Sequence, residues 1–139
     1  GANSRLDEIQ AGLLNVRLRY MEEITAERRE LAAGYDRGIC NPKVILPKER
    51  RDTYAVYHQY VIRAKERDRL IRYLQEQEIG TIIHYPIPPH LSEAYASLGY
   101  GRGSFPITEE YADTVLSIPM YNGMTQEEQQ KVITAINAF

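Results

Sequence analysis

The sequence predicts an α+β domain: a small, mainly antiparallel sheet with helices packed on it and a long N-terminal helix. Three observations carry this expectation. Leu6, Ile9, Leu13, Val16, Tyr20 and Ile24 recur every three or four residues, and Leu31 and Tyr35 continue the stripe, which is the spacing of one helix face. Short runs rich in β-branched and aromatic residues follow at 44–46, 56–62, 81–85 and 116–118. Helical patterns fall between these runs without the strict alternation of a parallel sheet. A length of 139 residues suits one domain spanning 1–139.

Each element has a local reason. Asn3 or Ser4 can cap the first helix, and Ser4 to Asp7 has capping-box form with a shorter acid. Gly34 and Gly38 weaken its end and Asn41-Pro42 stops it. At about 1.5 Å per residue such a helix reaches about 50 Å, more than this domain needs to cover its own core. It is therefore expected to pack partly on another domain or subunit. The strand over 56–62 places Val56, His58, Tyr60 and Ile62 on one face. A helix over 65–77 turns Leu70, Ile71 and Leu74 inward, with Gly80 near its C-cap. The strand over 81–85 stops at Pro86, Pro88 and Pro89, since proline cannot donate to a ladder. A short helix over 92–98 ends at Gly99, and a glycine-rich loop covers 100–104. Thr108 can cap a helix running through Val115, and a last short strand precedes Pro119. Thr125 to Glu128 is a capping box that opens a C-terminal helix with Val132, Ile133 and Ile136 inward.

Charge and composition exclude several function classes. Seventeen Lys and Arg against nineteen Asp and Glu argue against a nucleic-acid module that works by bulk phosphate neutralisation. No apolar run approaches the roughly 20 residues needed to span a bilayer, and no signal-peptide pattern opens the chain, so a cytoplasmic protein is expected. The single cysteine, Cys40, can form neither an internal disulfide nor a multi-thiolate zinc site and reads as structural. The start, without Met and immediately at a helix signal, is expected to mark a piece of a longer protein.

Few residues can carry chemistry. His84 and Tyr85 end a strand and lead through a proline-stiffened loop to His90; rigid loops at strand ends can aim polar side chains at a ligand. The same pattern also fits a proline-rich turn with two solvated imidazoles. His58, in mid-strand on an apolar face, reads as a hydrogen-bonded core histidine. Asn3 and Arg5 lie at a helix start, where amide donors and a guanidinium favour an anion, although caps and surface charges have the same pattern. No histidine pair has zincin spacing and no carboxylate cluster completes a metal shell, so no metal site is expected. There is no nucleophile elbow and no P-loop. Lys43, Lys48, Lys65 and Lys131 all sit in polar contexts. Eleven tyrosines against two phenylalanines suit interfaces and sugar-facing pockets, and equally a small core.

The opening segment, Gly1-Ala-Asn-Ser-Arg-Leu-Asp-Glu-Ile-Gln-Ala11, resembles a segment of the DegT/DnrJ/EryC1/StrS aminotransferases. Arg28-Arg29 with Tyr35, the Tyr57-His-Gln-Tyr60 run, Leu74 through Gly80 to His84-Tyr-Pro86, and Leu116-Ser-Ile-Pro-Met120 are similar to that family's C-terminal domain. The Ile83 to His90 segment, with Ala94-Tyr95 and Leu98-Gly-Tyr100, looks most like members that aminate the 3-keto position of dTDP-6-deoxyhexoses. The resemblance implies a dimeric, pyridoxal-phosphate enzyme of fold type I acting on a nucleotide-linked keto-sugar at the subunit interface. It implies that Asn3, with Arg5 nearby, reaches the partner's cofactor phosphate, and that His84, Tyr85 and His90 face the sugar nucleotide. It implies that the long first helix joins a large domain to this small one. The family's Schiff-base lysine and the Asp on the pyridine nitrogen match nothing in this chain. The fragment is thus expected to hold no catalytic residue, to bind no cofactor by itself and to be inactive alone. A free-standing sugar-nucleotide-binding or interaction module, or part of a sugar dehydratase of the same family, stays open as an alternative.

Overall fold

The structure, a computed structural model, describes residues 5–139. Five α-helices and three strands run in the order α1 (Glu8–Leu18), α2 (Met21–Gly38), β1 (Val44–Ile45), β2 (Tyr60–Ala64), α3 (Arg67–Glu76), α4 (Pro106–Thr114), β3 (Val115–Ile118) and α5 (Gln126–Ala138). Two 3-10 turns, Pro89–Leu91 and Glu93–Leu98, lie between α3 and α4. The sheet is antiparallel with strand order β1-β2-β3, and Tyr60 opposes Ile118 while Ile62 opposes Leu116. This is the expected α+β architecture. No helix among the described residues is long and apolar enough to cross a membrane.

The core forms where α2, α3 and α5 meet the sheet. Tyr35, Tyr60, Ile62, Leu70, Leu74, Leu116 and Ile136 are fully buried there. At about 1.5–3 kcal/mol for each large apolar side chain removed from water, this cluster is the main source of stability. Two glycines set the approach of α5 to α2. A Cβ at Gly34 would stand 2.6 Å from Gln129 Oε1, and one at Gly38 would stand 2.7 Å from Ile133 Cδ1. The absent side chains let the helices close, and the Gln129 side chain then donates to the Leu31 carbonyl at 2.7 Å. Gly34 and Gly38 thus serve packing, whereas their sequence positions suggested only a weakened helix end.

Several local expectations are corrected. The long N-terminal helix is two helices, because the chain turns at Arg19 and Tyr20 before α2 begins. Asp7 caps α1, its carboxylate accepting from the Ile9 amide at 3.2 Å; of the proposed caps, Asn3 and Ser4 lie outside the described residues. The second strand starts at Tyr60 and not at Val56, because Tyr57 has a φ of 46° and breaks the extended run. The third expected strand shrinks to one bridge, Ile82 with Ser117, before the prolines. After α3 the left-handed residue is Glu78, with φ 59°, and Gly80 has no such role. Thr108 lies inside α4, which starts at Pro106, a position whose missing N–H costs nothing. Gly99 does close its turn in the left-handed region, and the Thr125–Glu128 capping box forms with both reciprocal bonds.

Candidate functional site

The candidate site lies at the open end of β2 and β3. Two arginines on α2 hold the loop that leads into it. Arg28 donates from Nε to Asn122 Oδ1 at 2.8 Å and from Nη1 to the carbonyls of Tyr57 and His58, both at 3.1 Å. Arg29 forms a two-pronged ion pair with Glu49, donates to the Ala55 carbonyl at 2.6 Å and stacks its guanidinium 4.3 Å from the Tyr54 ring centre. A planar guanidinium has enough donors to hold several carbonyls at once. The two arginines thus pin the loop ahead of β2 and fix where His58 and Gln59 emerge. From the far side, Glu27 accepts from Asn122 Nδ2 at 2.7 Å and from the Gly123 amide at 2.5 Å. The Asn122 amide, then the Gly123 N–H, hold the Glu27 carboxyl below its ordinary value of 4.5.

His84 stands at the centre of the next layer. Its Nδ1 lies 2.9 Å from Ser117 Oγ and its Nε2 lies 3.2 Å from Gln59 Nε2. Tyr85 follows through a cis peptide bond; its ring meets the His84 ring edge-on at 5.5 Å and is 74% exposed. His58, Gln59, Thr81, His84, Ser117 and Met120 line a cavity of about 530 Å³. His58 also borders a second hollow of about 460 Å³, shared with Leu14, Leu18, Arg28 and Asn122. His58 is exposed between the two hollows, so the expectation of a core histidine fails. The reason is again the broken strand: the chain turns outward at Tyr57 and carries His58 off the sheet face.

His90 belongs to a different cluster. Its Nε2 lies 3.0 Å from Glu109 Oε1, and its ring packs 4.8 Å from the Phe105 ring. Glu109 is buried, and its carboxylate also accepts from the Gly103 amide through both oxygens, at 2.9 and 2.8 Å, and from the Phe105 amide at 3.1 Å. The Gly103 amide, then the Phe105 amide and His90, hold this carboxyl below its ordinary value against the upward push of burial. His84 and Tyr85 thus come together with Gln59 and Ser117, while His90 sits apart as the strut of the glycine-rich loop.

The remaining candidates lie elsewhere. Asn3 is outside the described residues, and Arg5 is exposed two residues before the Asp7 cap. Cys40 is exposed, which removes the structural reading given to it. Lys43, Lys48, Lys65 and Lys131 are all exposed, and Lys131 faces Glu78 at 3.7 Å. A lysine that forms a Schiff base near neutral pH needs burial or a cationic neighbour to shed its proton. None of these four is buried. Among the described residues no group of three or more His, Cys, Asp or Glu could hold a metal ion. Sequence reasoning missed Gln59, Ser117 and Asn122. Gln59 and Ser117 sit inside runs noted above for their resemblance, but nothing in the spacing joins them to His84.

Comparison with known proteins gives the chain a family. The chain is 44% identical over its full length to dTDP-3-amino-3,6-dideoxy-alpha-D-galactopyranose transaminase of Aneurinibacillus thermoaerophilus, of which it covers 38%. It is 39% identical over 98% of its length to dTDP-3-amino-3,4,6-trideoxy-alpha-D-glucose transaminase of Streptomyces venezuelae, of which it covers 36%. Among solved structures, S. venezuelae DesV in complex with a ketimine intermediate matches 99% of the chain with a TM-score of 0.94 at 39% identity. A DegT DnrJ EryC1 StrS aminotransferase from Brucella abortus matches 99% with a TM-score of 0.89 at 32% identity. The chain spans 38% and 37% of those two structures, well under half of the proteins it matches. A sequence model of the DegT/DnrJ/EryC1/StrS aminotransferase family covers residues 1–137, and the chain belongs to that family.

Proposed function

We propose that this chain is the C-terminal, substrate-side domain of a pyridoxal-phosphate-dependent aminotransferase that aminates a nucleotide-linked keto-sugar, a dTDP-3-keto-6-deoxyhexose. The observation that carries the reading is the end-to-end match to two transaminases named for dTDP-3-amino sugars. When bound, the cofactor supplies an electron sink that takes an amino group from a donor and delivers it to the sugar ketone. Its covalent anchor lies on a domain outside this chain, in keeping with the exposure of all four lysines. The chain therefore contributes binding surface. The phenol of Tyr85, beside His84, faces the sugar nucleotide, and His90 shapes the loop next to it. Asn3, with Arg5 nearby, reaches the cofactor phosphate of a partner subunit in a cytoplasmic homodimer.

The test uses the longer protein that carries this chain. Purified with pyridoxal phosphate and given a panel of amino acids as donors, it should convert dTDP-3-keto-6-deoxyhexose to the amino sugar, read by mass spectrometry. Tyr85→Phe and His84→Ala should lower turnover or binding while the circular dichroism spectrum persists. A product lacking nitrogen would replace the aminotransferase reading with the dehydratase one. Wild-type kinetics in both variants would remove these residues from the site.

A further inference from the structure

Asn122 is the one asparagine of the chain that glycine follows, and the pair carries a chemical liability. The main-chain nitrogen after an asparagine can attack the side-chain amide carbon, and glycine, with no Cβ in the way, lets that ring close most readily. The turn itself demands the glycine. The Met124 N–H donates to the Tyr121 carbonyl at 3.2 Å, and Gly123 takes a φ of 86°, in the left-handed region. Position 122 is constrained just as strongly, by three bonds to α2. Asn122 Nδ2 donates to Glu27 Oε2 at 2.7 Å and to the Ile24 carbonyl at 3.0 Å, while Oδ1 accepts from Arg28 Nε at 2.8 Å. Only a side chain that both donates and accepts makes all three, and asparagine is the short residue that does so. The fold thus keeps a reactive dipeptide at its surface, with Asn122 half-buried and Gly123 exposed.

The same bonds hold the reaction back. Ring closure requires the Gly123 amide to lose its proton and to turn the freed electron pair on Asn122 Cγ. In the structure that N–H points elsewhere, at Glu27 Oε1, 2.5 Å away. An electron pair released along the N–H direction would face a carboxylate oxygen instead of the carbon. A negative charge at that distance also opposes formation of an amide anion. The leaving nitrogen, Nδ2, is held by the other oxygen of the same carboxylate. One side chain, Glu27, therefore engages both the nucleophile and the leaving group.

We propose that Asn122-Gly123 is a latent site of spontaneous deamidation and that the Glu27 carboxylate guards it. When the Glu27 bonds open, the Gly123 nitrogen gives its proton to hydroxide and bonds to Asn122 Cγ. The Cγ–Nδ2 bond breaks, and the nitrogen leaves as ammonia after taking a proton from water. Water then adds to either carbonyl of the cyclic imide and opens it to aspartate or isoaspartate at position 122. Water is the only co-reactant. Either product loses the Nδ2 donor to Glu27 and Ile24 and gains a negative charge beside Glu27. The turn cannot then re-form its bonds to α2, so the change is one-way.

The experiment ages the longer protein that carries this chain in mildly alkaline buffer. After unfolding and trypsin digestion, the Gly103–Lys131 peptide reports the exchange of amide for acid by mass, and chromatography separates its aspartate and isoaspartate forms. The same protein aged in guanidinium chloride gives the unguarded rate. The folded, unaltered protein should react at least about tenfold more slowly than this reference, because only the locally opened fraction is competent. Glu27→Ala should recover most of that factor while its circular dichroism spectrum persists. If that variant does not fold, Glu27→Gln, which keeps the shape and loses the charge, takes its place and should react at least about threefold faster than the parent. Leu116→Ala loosens the core and leaves the Glu27 bonds in place, and it should age at nearly the parent's rate. Folded protein that deamidates at the unguarded rate would overturn the proposal. So would a folded Glu27 variant that ages no faster than the parent. Equal acceleration in Leu116→Ala and the Glu27 variant would overturn it too, since global opening and not the carboxylate would then set the rate.

Discussion

Helices α1 and α2 both carry large apolar residues and have opposite fates. In α2, Thr25, Leu31, Ala32 and Tyr35 are buried, and Tyr35 donates its hydroxyl to the Pro119 carbonyl. In α1 no residue is buried, and Leu6, Ile9, Leu13, Leu14, Val16 and Leu18 all stand half or more exposed around it. The difference is one of partners. A 3.6-residue stripe states that a face wants cover, and it does not state which body supplies the cover. The apolar residues of α2 lie on one side and its charges on the other, where Glu27, Arg28 and Arg29 tie down three loop segments. In α1 apolar residues point in several directions. No residue of α1 is buried among the described residues, and an isolated helix of 11 residues is marginal in water.

The largest expected effect contrasts one leucine from the core with one from α1. Leu116→Ala should cost about 2–5 kcal/mol of folding free energy, through lost transfer energy and the cavity left behind. Leu13→Ala should change the stability of this chain by no more than about 0.5 kcal/mol. Urea titrations of the two variants measure both; equal losses would mean that α1 is packed in solution and the contrast is false. A smaller effect asks whether the polar side of α2 matters as much as its apolar side. Arg28→Ala removes three donors that hold Asn122 and the Tyr57 and His58 carbonyls, and should cost about 1.5–3 kcal/mol. Protease digestion should then cut first within residues 47–59, the loop that Arg28 and Arg29 secure.

The smallest effect depends on pH. Glu27 is held below its ordinary value of 4.5, first by the Asn122 amide and then by the Gly123 N–H. A carboxyl depressed in the folded state adds stability that is fully present above the unfolded value and is lost as the pH falls through the folded one. Stability of the parent should therefore decline as the pH drops below about 4.5, the usual glutamate range. Glu27→Gln should be less stable at neutral pH and show a shallower acid decline. An unchanged slope in thermal melts between pH 6 and pH 3 would show that the α2–Asn122 contact contributes nothing to acid sensitivity.

Much of the fold was legible from the sequence. The Thr125–Glu128 box, the Gly99 turn and the inward faces of α3 and α5 follow from neighbours within four residues, and they formed as expected. The late start of β2 depends on a residue far away in the chain. Arg28 draws the carbonyls of Tyr57 and His58 to itself, and no local propensity records that pull. The candidate site divides in the same way. His84 and Tyr85 stood out as a polar pair ahead of prolines. Gln59 and Ser117 did not, because their importance arises only when residues 25 and 33 positions from His84 meet it. His90, singled out together with His84, proved to be tied to Glu109 across a separate turn.

That tie has a consequence for the loop it governs. The segment around Arg102 is rich in glycine and faces solvent, with Arg102 paired to Asp113, and by composition it invites cleavage by trypsin. Yet the amides of Gly103 and Phe105 both end on the buried Glu109 carboxylate. Opening the Arg102–Gly103 peptide for a protease requires pulling these amides away from a buried carboxylate. The loop should exchange its Gly103 and Phe105 amide hydrogens as slowly as a strand does, and it should resist nicking until the whole domain unfolds. A surface that looks like a hinge is held as a fixed wall.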